Sequence, residues 1–178
     1  MTCFRLTPKK TRSPEDSERG AAIVEFVLVL PLFVALVMGI VDFGLNLTNI
    51  SAARQATREG ARRAAVGDPS QSECQLVGPT ATQMTSDAGH LLCSVKRSAS
   101  TIGSNLRVKL VFPTTYEAGH EALVCSAYEV QSVTGFFRPL LAGRYTKIMT
   151  QMRVERVEVD LTALAETPFA GQDWSWCE

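Results

Sequence analysis

The sequence predicts an α+β protein: a long N-terminal helix, a second helix and a small antiparallel sheet of about three strands. Three observations carry this. Residues 21–41 form one apolar run with a single charge, Glu25, inside it. Residues 44–66 contain no proline and repeat small residues at helical spacing. Further on, apolar and polar residues alternate in three short segments, as half-buried strands do.

The apolar run is long enough to cross a bilayer as one helix, because ~20 residues at about 1.5 Å rise span roughly 30 Å. Two residues stand out inside it. Glu25 places a carboxylate in the first turn and a half, where a charge without a partner costs about 2–3 kcal/mol or more. Pro31 has no N–H to give the carbonyl of Val27, which favours a kink. Asp42 is expected near the outer end as an interfacial residue reaching water. Beyond the run, Ile50, Ala53, Ala56 or Thr57, Gly60 or Ala61, and Ala64 mark a face of mostly small residues that another element can approach closely. Arg54, Arg58 and Arg62 form a second stripe, expected to be solvated, and Glu59 is placed to pair with Arg62 or Arg63. Gly67, followed by Asp68-Pro69, ends the helix. The organisation expected is a leader over 1–20, a span over 21–43, an extramembrane continuation over 44–67 and a small domain over 68–178. The charged leader, with Pro8 and Pro14, reads as disordered through residue 18.

In the small domain, Met84, Ala88, Leu91, Val95, Ala99 and Ile102 predict a second helix over about 79–102. Strands are expected at 106–112, 122–131 and 145–154, with Val124 and Tyr128 on one face and Cys125 on the other. Val157 and Val159 fall out of phase, so a break is expected near Glu155. Between the last two strands lies an apolar connection from Val133 to Gly143, containing Phe136, Phe137, Leu140 and Leu141. It is either cover for the core, the expected case, or an exposed patch for a partner. The tail to Glu178 reads as irregular.

Composition excludes several functions. Eighteen basic residues balance eighteen acidic ones, which offers no argument for nucleic acid. No phosphate loop, nucleophile elbow or paired carboxylates are present. The two histidines, His90 and His120, stand alone, and the cysteines lack metal-ligand spacing. No cofactor, metal or catalytic residue is expected, so the chain is read as a non-enzyme.

The leader ending in Arg19-Gly20, then Ala21-Ala22-Ile23-Val24-Glu25 and the apolar run, resembles the processing site of type IV pilin-like proteins. The wider stretch from Arg19 to Gly67 resembles the TadE-like pseudopilins of the Tad/Flp pilus machinery. That resemblance implies a pilin-like fold and a prepilin peptidase that cuts after Gly20, making Ala21 the new N-terminus. An α-amine freed there is positive near neutral pH. Glu25, four residues on, can meet it in its own chain or in a neighbouring subunit, which would make the pair a register device between helices. A proline such as Pro31 is associated in type IV pilins with local loosening on assembly; a harmless kink is the alternative.

The implied partners are the peptidase, the major pilin, other minor pseudopilins, inner-membrane platform proteins and the lipid bilayer. The implied location is the inner membrane with the N-terminus cytoplasmic and the small domain periplasmic or extracellular, or a place in the pilus itself. Cys3 would then lie in the leader. Cys74, Cys93, Cys125 and Cys177 would lie in an oxidising compartment, where an even number suggests two disulfides with three possible connectivities. Cys74–Cys93 and Cys125–Cys177 are the favoured pairs. The competing reading is an uncleaved single-span envelope protein whose outer domain binds a ligand or serves as a scaffold.

Overall fold

The computed structural model describes residues 14–68, 86–112, 116–157, 159 and 161–178, with the side chains of 14–19, 100 and 101 left aside. The chain forms two compact units, residues 1–41 and residues 42–178. In chain order the elements are α1 (Pro14–Val66), α2 (Asp87–Ser98), a 3-10 helix (Ser100–Asn105), β1 (Leu106–Val111), β2 (Glu121–Glu129), α3 (Arg138–Leu141), β3 (Tyr145–Arg153) and β4 (Leu164–Ala165).

Helix α1 runs for 53 residues. It starts earlier than the sequence suggested: Pro14 to Glu18 are helical rather than disordered. Proline suits a first helical position. The expected end holds. Gly67 takes φ 69°, and Asp68 N donates to Arg63 O at 3.1 Å, a six-to-one closure that satisfies a terminal carbonyl.

In the first unit, every large apolar side chain from Ile23 to Val41 is exposed. The second unit buries the other kind of helical face. Ala53, Ala56, Thr57, Ala61 and Ala64 are each at most 1 % exposed. They pack on a four-stranded antiparallel sheet of order β3-β2-β1-β4. Small side chains bring backbone and sheet close. A methyl added at Gly60 would run into Val95 Cγ2 of α2.

The sheet was expected to have about three strands. The fourth is a two-residue strand from the tail, pairing Lys109 with Ala165 and Leu110 with Leu164. The central strand β2 is buried from Ala122 to Tyr128. Its register sets Val108, Ser126 and Ile148 in one row and Lys109, Cys125 and Met149 in the next. The first row belongs to the face that meets α1, because Thr57 Oγ1 lies 2.6 Å from Ser126 Oγ. Thr57 gives its own proton to Ala53 O at 2.7 Å, so Ser126 is the donor in that buried pair.

The row containing Cys125 faces the tail, and Cys125 and Cys177 form a disulfide with Cα atoms 6.1 Å apart, as expected. Cys93 is also disulfide-bonded; Cys74, its expected partner, and Cys3 lie outside the described residues. Strand β3 stops at Arg153, which supplies the expected break before Val157.

The second helix is shorter than expected. Ser86 caps it, its hydroxyl accepting from Gly89 N at 3.2 Å. It ends at Ser98, and a 3-10 segment completes the path to β1. Residues 79–85 of the expected helix, Met84 included, lie outside the described residues.

The tail is pinned by a buried ion pair. Lys96 Nζ of α2 lies 2.7 Å from Glu166 Oε1, the two side chains 6 % and 0 % exposed. Glu166 Oε2 also accepts from Val108 N at 2.8 Å. Its backbone carbonyl accepts from Trp174 Nε1 at 2.9 Å. Two charges in a dry site are tolerated when, as here, they meet each other and further donors.

Candidate functional site

Gly20, Ala21, Glu25 and Pro31 all lie in α1 within the first unit. Gly20 has open space around it: a methyl there would meet nothing within 4 Å. Glu25 is exposed. Ala21 and Glu25 are one helical turn apart, the spacing at which a terminal amine and a carboxylate can meet. Helix α1 continues through Pro31.

The second unit opens with a residue whose setting overturns the sequence reading. Asp42, expected at the surface reaching water, is 2 % exposed. One carboxylate oxygen accepts from Val133 N and Thr134 N, both at 2.9 Å. The other accepts from Ser132 Oγ at 2.6 Å and Thr134 Oγ1 at 2.8 Å. Four donors to one carboxylate replace its water shell, which is why the charge can be buried. One turn further on, Asn46 Nδ2 donates to Gln131 O at 3.0 Å and to Asp42 O at 2.9 Å. Asp42 and Asn46 thus clasp residues 131–134 to the helix. A carboxylate at the end of an apolar run gives no local sign of this; its donors lie 90 to 92 residues away.

What the clasp holds is the apolar connection between β2 and β3. The expectation of core cover fails. Val133, Phe136 and Leu140 are 62 %, 58 % and 66 % exposed, and α3 within it has no buried residue. The reason is geometric. The α1-facing side of the sheet is already filled by α1 and α2, and the tail closes the opposite face through Cys177.

The arginine stripe is solvated as expected, with Arg54, Arg58 and Arg62 exposed. Glu59 binds both neighbours rather than one, at 3.0 Å to Arg62 and 2.9 Å to Arg63. Hydrogen bonds from Arg62 and then Arg63 pull its carboxyl from 4.5 down to about 2. Among the described residues, no group of three His, Cys, Asp or Glu side chains is placed to hold a metal ion.

Two surfaces therefore stand out: the exposed apolar helix with its single carboxylate, and the clasped apolar connection. Helix α1 is long and apolar enough to cross a membrane. Residues 20–62 match the family model described as TadE-like protein. That segment begins at Gly20 and covers the apolar run, the clasp residues Asp42 and Asn46, and the small-residue face up to Ala61. No curated protein and no solved structure matches the chain. The TadE-like match, over 43 of the 178 residues, and an apolar helix long enough to cross a membrane together suggest a membrane protein associated with a Tad pilus.

Proposed function

Taking the TadE-like segment as premise, we propose that this protein is a minor pilin, or pseudopilin, that joins a Tad/Flp-type assembly after cleavage of its leader. A prepilin peptidase cuts between Gly20 and Ala21. The freed amine of Ala21 is held by Glu25, in its own chain or in a neighbouring subunit. The span keeps residues 1–20 on the cytoplasmic side and carries the folded unit beyond the inner membrane. The working partners are the platform proteins, the major pilin and other minor pseudopilins. The role is structural, not catalytic.

The observation that carries this reading is the TadE-like match starting at the glycine that the processing motif singles out. The exposed side chains of the first unit support it. A helix that leaves Ile23, Phe26, Val27 and Phe33 uncovered needs lipid or other helices around it. In such surroundings Glu25 costs about 2–3 kcal/mol until it meets a cation, and a freed amine supplies one.

The deciding measurement is the N-terminus of protein purified from membranes. An N-terminal Ala21 is expected. An intact Met1 overturns the processed-subunit reading and leaves an anchored envelope protein. Replacing Glu25→Leu tests the pairing separately. Insertion and cleavage should persist, while co-purification with partner subunits falls. Unchanged co-purification removes Glu25 from the mechanism.

A further inference from the structure

We propose that the connection between β2 and β3 is a second membrane contact, with Val133, Phe136 and Leu140 seated in the interfacial layer of the bilayer that α1 crosses. Three features of the second unit lead there.

The first is direction. Strand β2 and the connection follow α1 backwards, from Ser126 at Thr57 to Tyr128 at Asn49, Gln131 at Asn46 and residues 132–134 at Asp42. Each contact lies nearer the helix N-terminus than the one before. Asp42 is the first residue of the second unit, and the connection is its last partner in this series.

The second is height. By sequence the span is expected to end at residue 43, and Phe43, next to Asp42, is 68 % exposed. The connection is therefore fastened where the helix passes from lipid to water. Four donors from residues 132–134 to one carboxylate hold it there.

The third is chemistry. Exposed apolar side chains alternate here with exposed cations, Arg138 within α3 and Arg144 just after it. Apolar side chains beside guanidinium groups match the chemistry of acyl chains beneath phosphate headgroups. A soluble partner protein would require no such height. The bilayer does.

The test uses the full chain in vesicles of phosphatidylcholine and phosphatidylglycerol, with single added tryptophans read above the constant signal of Trp174 and Trp176. Phe136→Trp is the probe. Phe33→Trp in the apolar run is the buried reference. Val157→Trp is the aqueous reference, since Glu155 and Arg156 donate to Ala65 O at the opposite end of the helix. Emission from Phe136→Trp should shift to the blue. It should be quenched by lipids brominated near the headgroup end of their acyl chains, at a depth of about 5–10 Å below the headgroup boundary.

Emission that behaves like Val157→Trp, open to aqueous quencher and blind to brominated lipid while Phe33→Trp is quenched, overturns the proposal. Emission blind to lipid but shielded on adding partner subunits also overturns it, and assigns the patch to a protein. The probe reads depth and not processing or co-purification, so its failure leaves the assembly reading standing.

Discussion

The two stretches of α1 solve opposite problems with one backbone. From Ile23 to Val41 the helix displays large side chains, all exposed. From Ala53 to Ala64 it buries small ones against a sheet. Helix propensity runs against the first stretch, with its valines, Pro31 and Gly39, yet both stretches are helical, so propensity does not explain the difference. Side-chain volume does. Large apolar groups all round a helix hold any sheet at a distance and suit a fluid, apolar surrounding. Alanine, glycine and threonine on one face let a sheet approach until the Thr57 and Ser126 hydroxyls meet. The TadE-like match spans this change of character, from Gly20 into the small-residue face.

The contrast can be broken most severely on the buried side. Glu166→Ala leaves Lys96 charged, dry and without its carboxylate, and should cost about 3–5 kcal/mol. Denaturant unfolding of the reconstituted protein would show it, while the fraction inserted in membranes stays unchanged. A loss of insertion would mean that the two stretches are not independent.

At the border, Asp42→Ala strips four donors of their acceptor at once. Hydrogen bonds to a charged group contribute about 1.5–3 kcal/mol each and are not additive. The expected result is local: fast amide exchange at Val133 and Thr134 and new protease sites between Val133 and Gly143, with the sheet amides still protected. Retained protection at Val133 would show that the connection is held by something other than the clasp.

The smallest effect belongs to the solvated face. Glu59→Gln removes two surface ion pairs, one exposed and one half-buried, together worth at most about 1 kcal/mol. The carboxyl has a lowered pKa in the folded protein, so its contribution is fully present above pH 4.5 and disappears as pH falls toward about 2. The stability difference between wild type and variant should shrink over that window and be absent below it.

Much of the fold could be read from local pattern. The apolar run, the small-residue face, the glycine stop at Gly67 and the alternation in β1 all express the geometry of a single element, and neighbours in sequence carry it. The Cys125–Cys177 disulfide was reachable from the orientation implied by the processing motif. The misses share a cause. Asp42 was read as interfacial because nothing within a turn of it says that residues 132–134 will bring their donors. The connection from Val133 to Gly143 was read as core cover because its composition is apolar. Whether an apolar segment finds room in a core depends on what already fills both faces of the sheet. Glu166 and β4 were missed in a tail without periodicity.

The chain alone established that one helix is apolar enough for a membrane, that a carboxylate follows a glycine at processing spacing, and that a small sheet lies downstream. Those properties need only the repeat of a helix or a strand, and a few adjacent residues state them in full. Folding alone selected the partners of Asp42, Lys96 and Thr57. Each is a polar group whose cost of burial is met by donors or acceptors dozens of residues away, and a polar side chain carries no mark of the distant group it will meet.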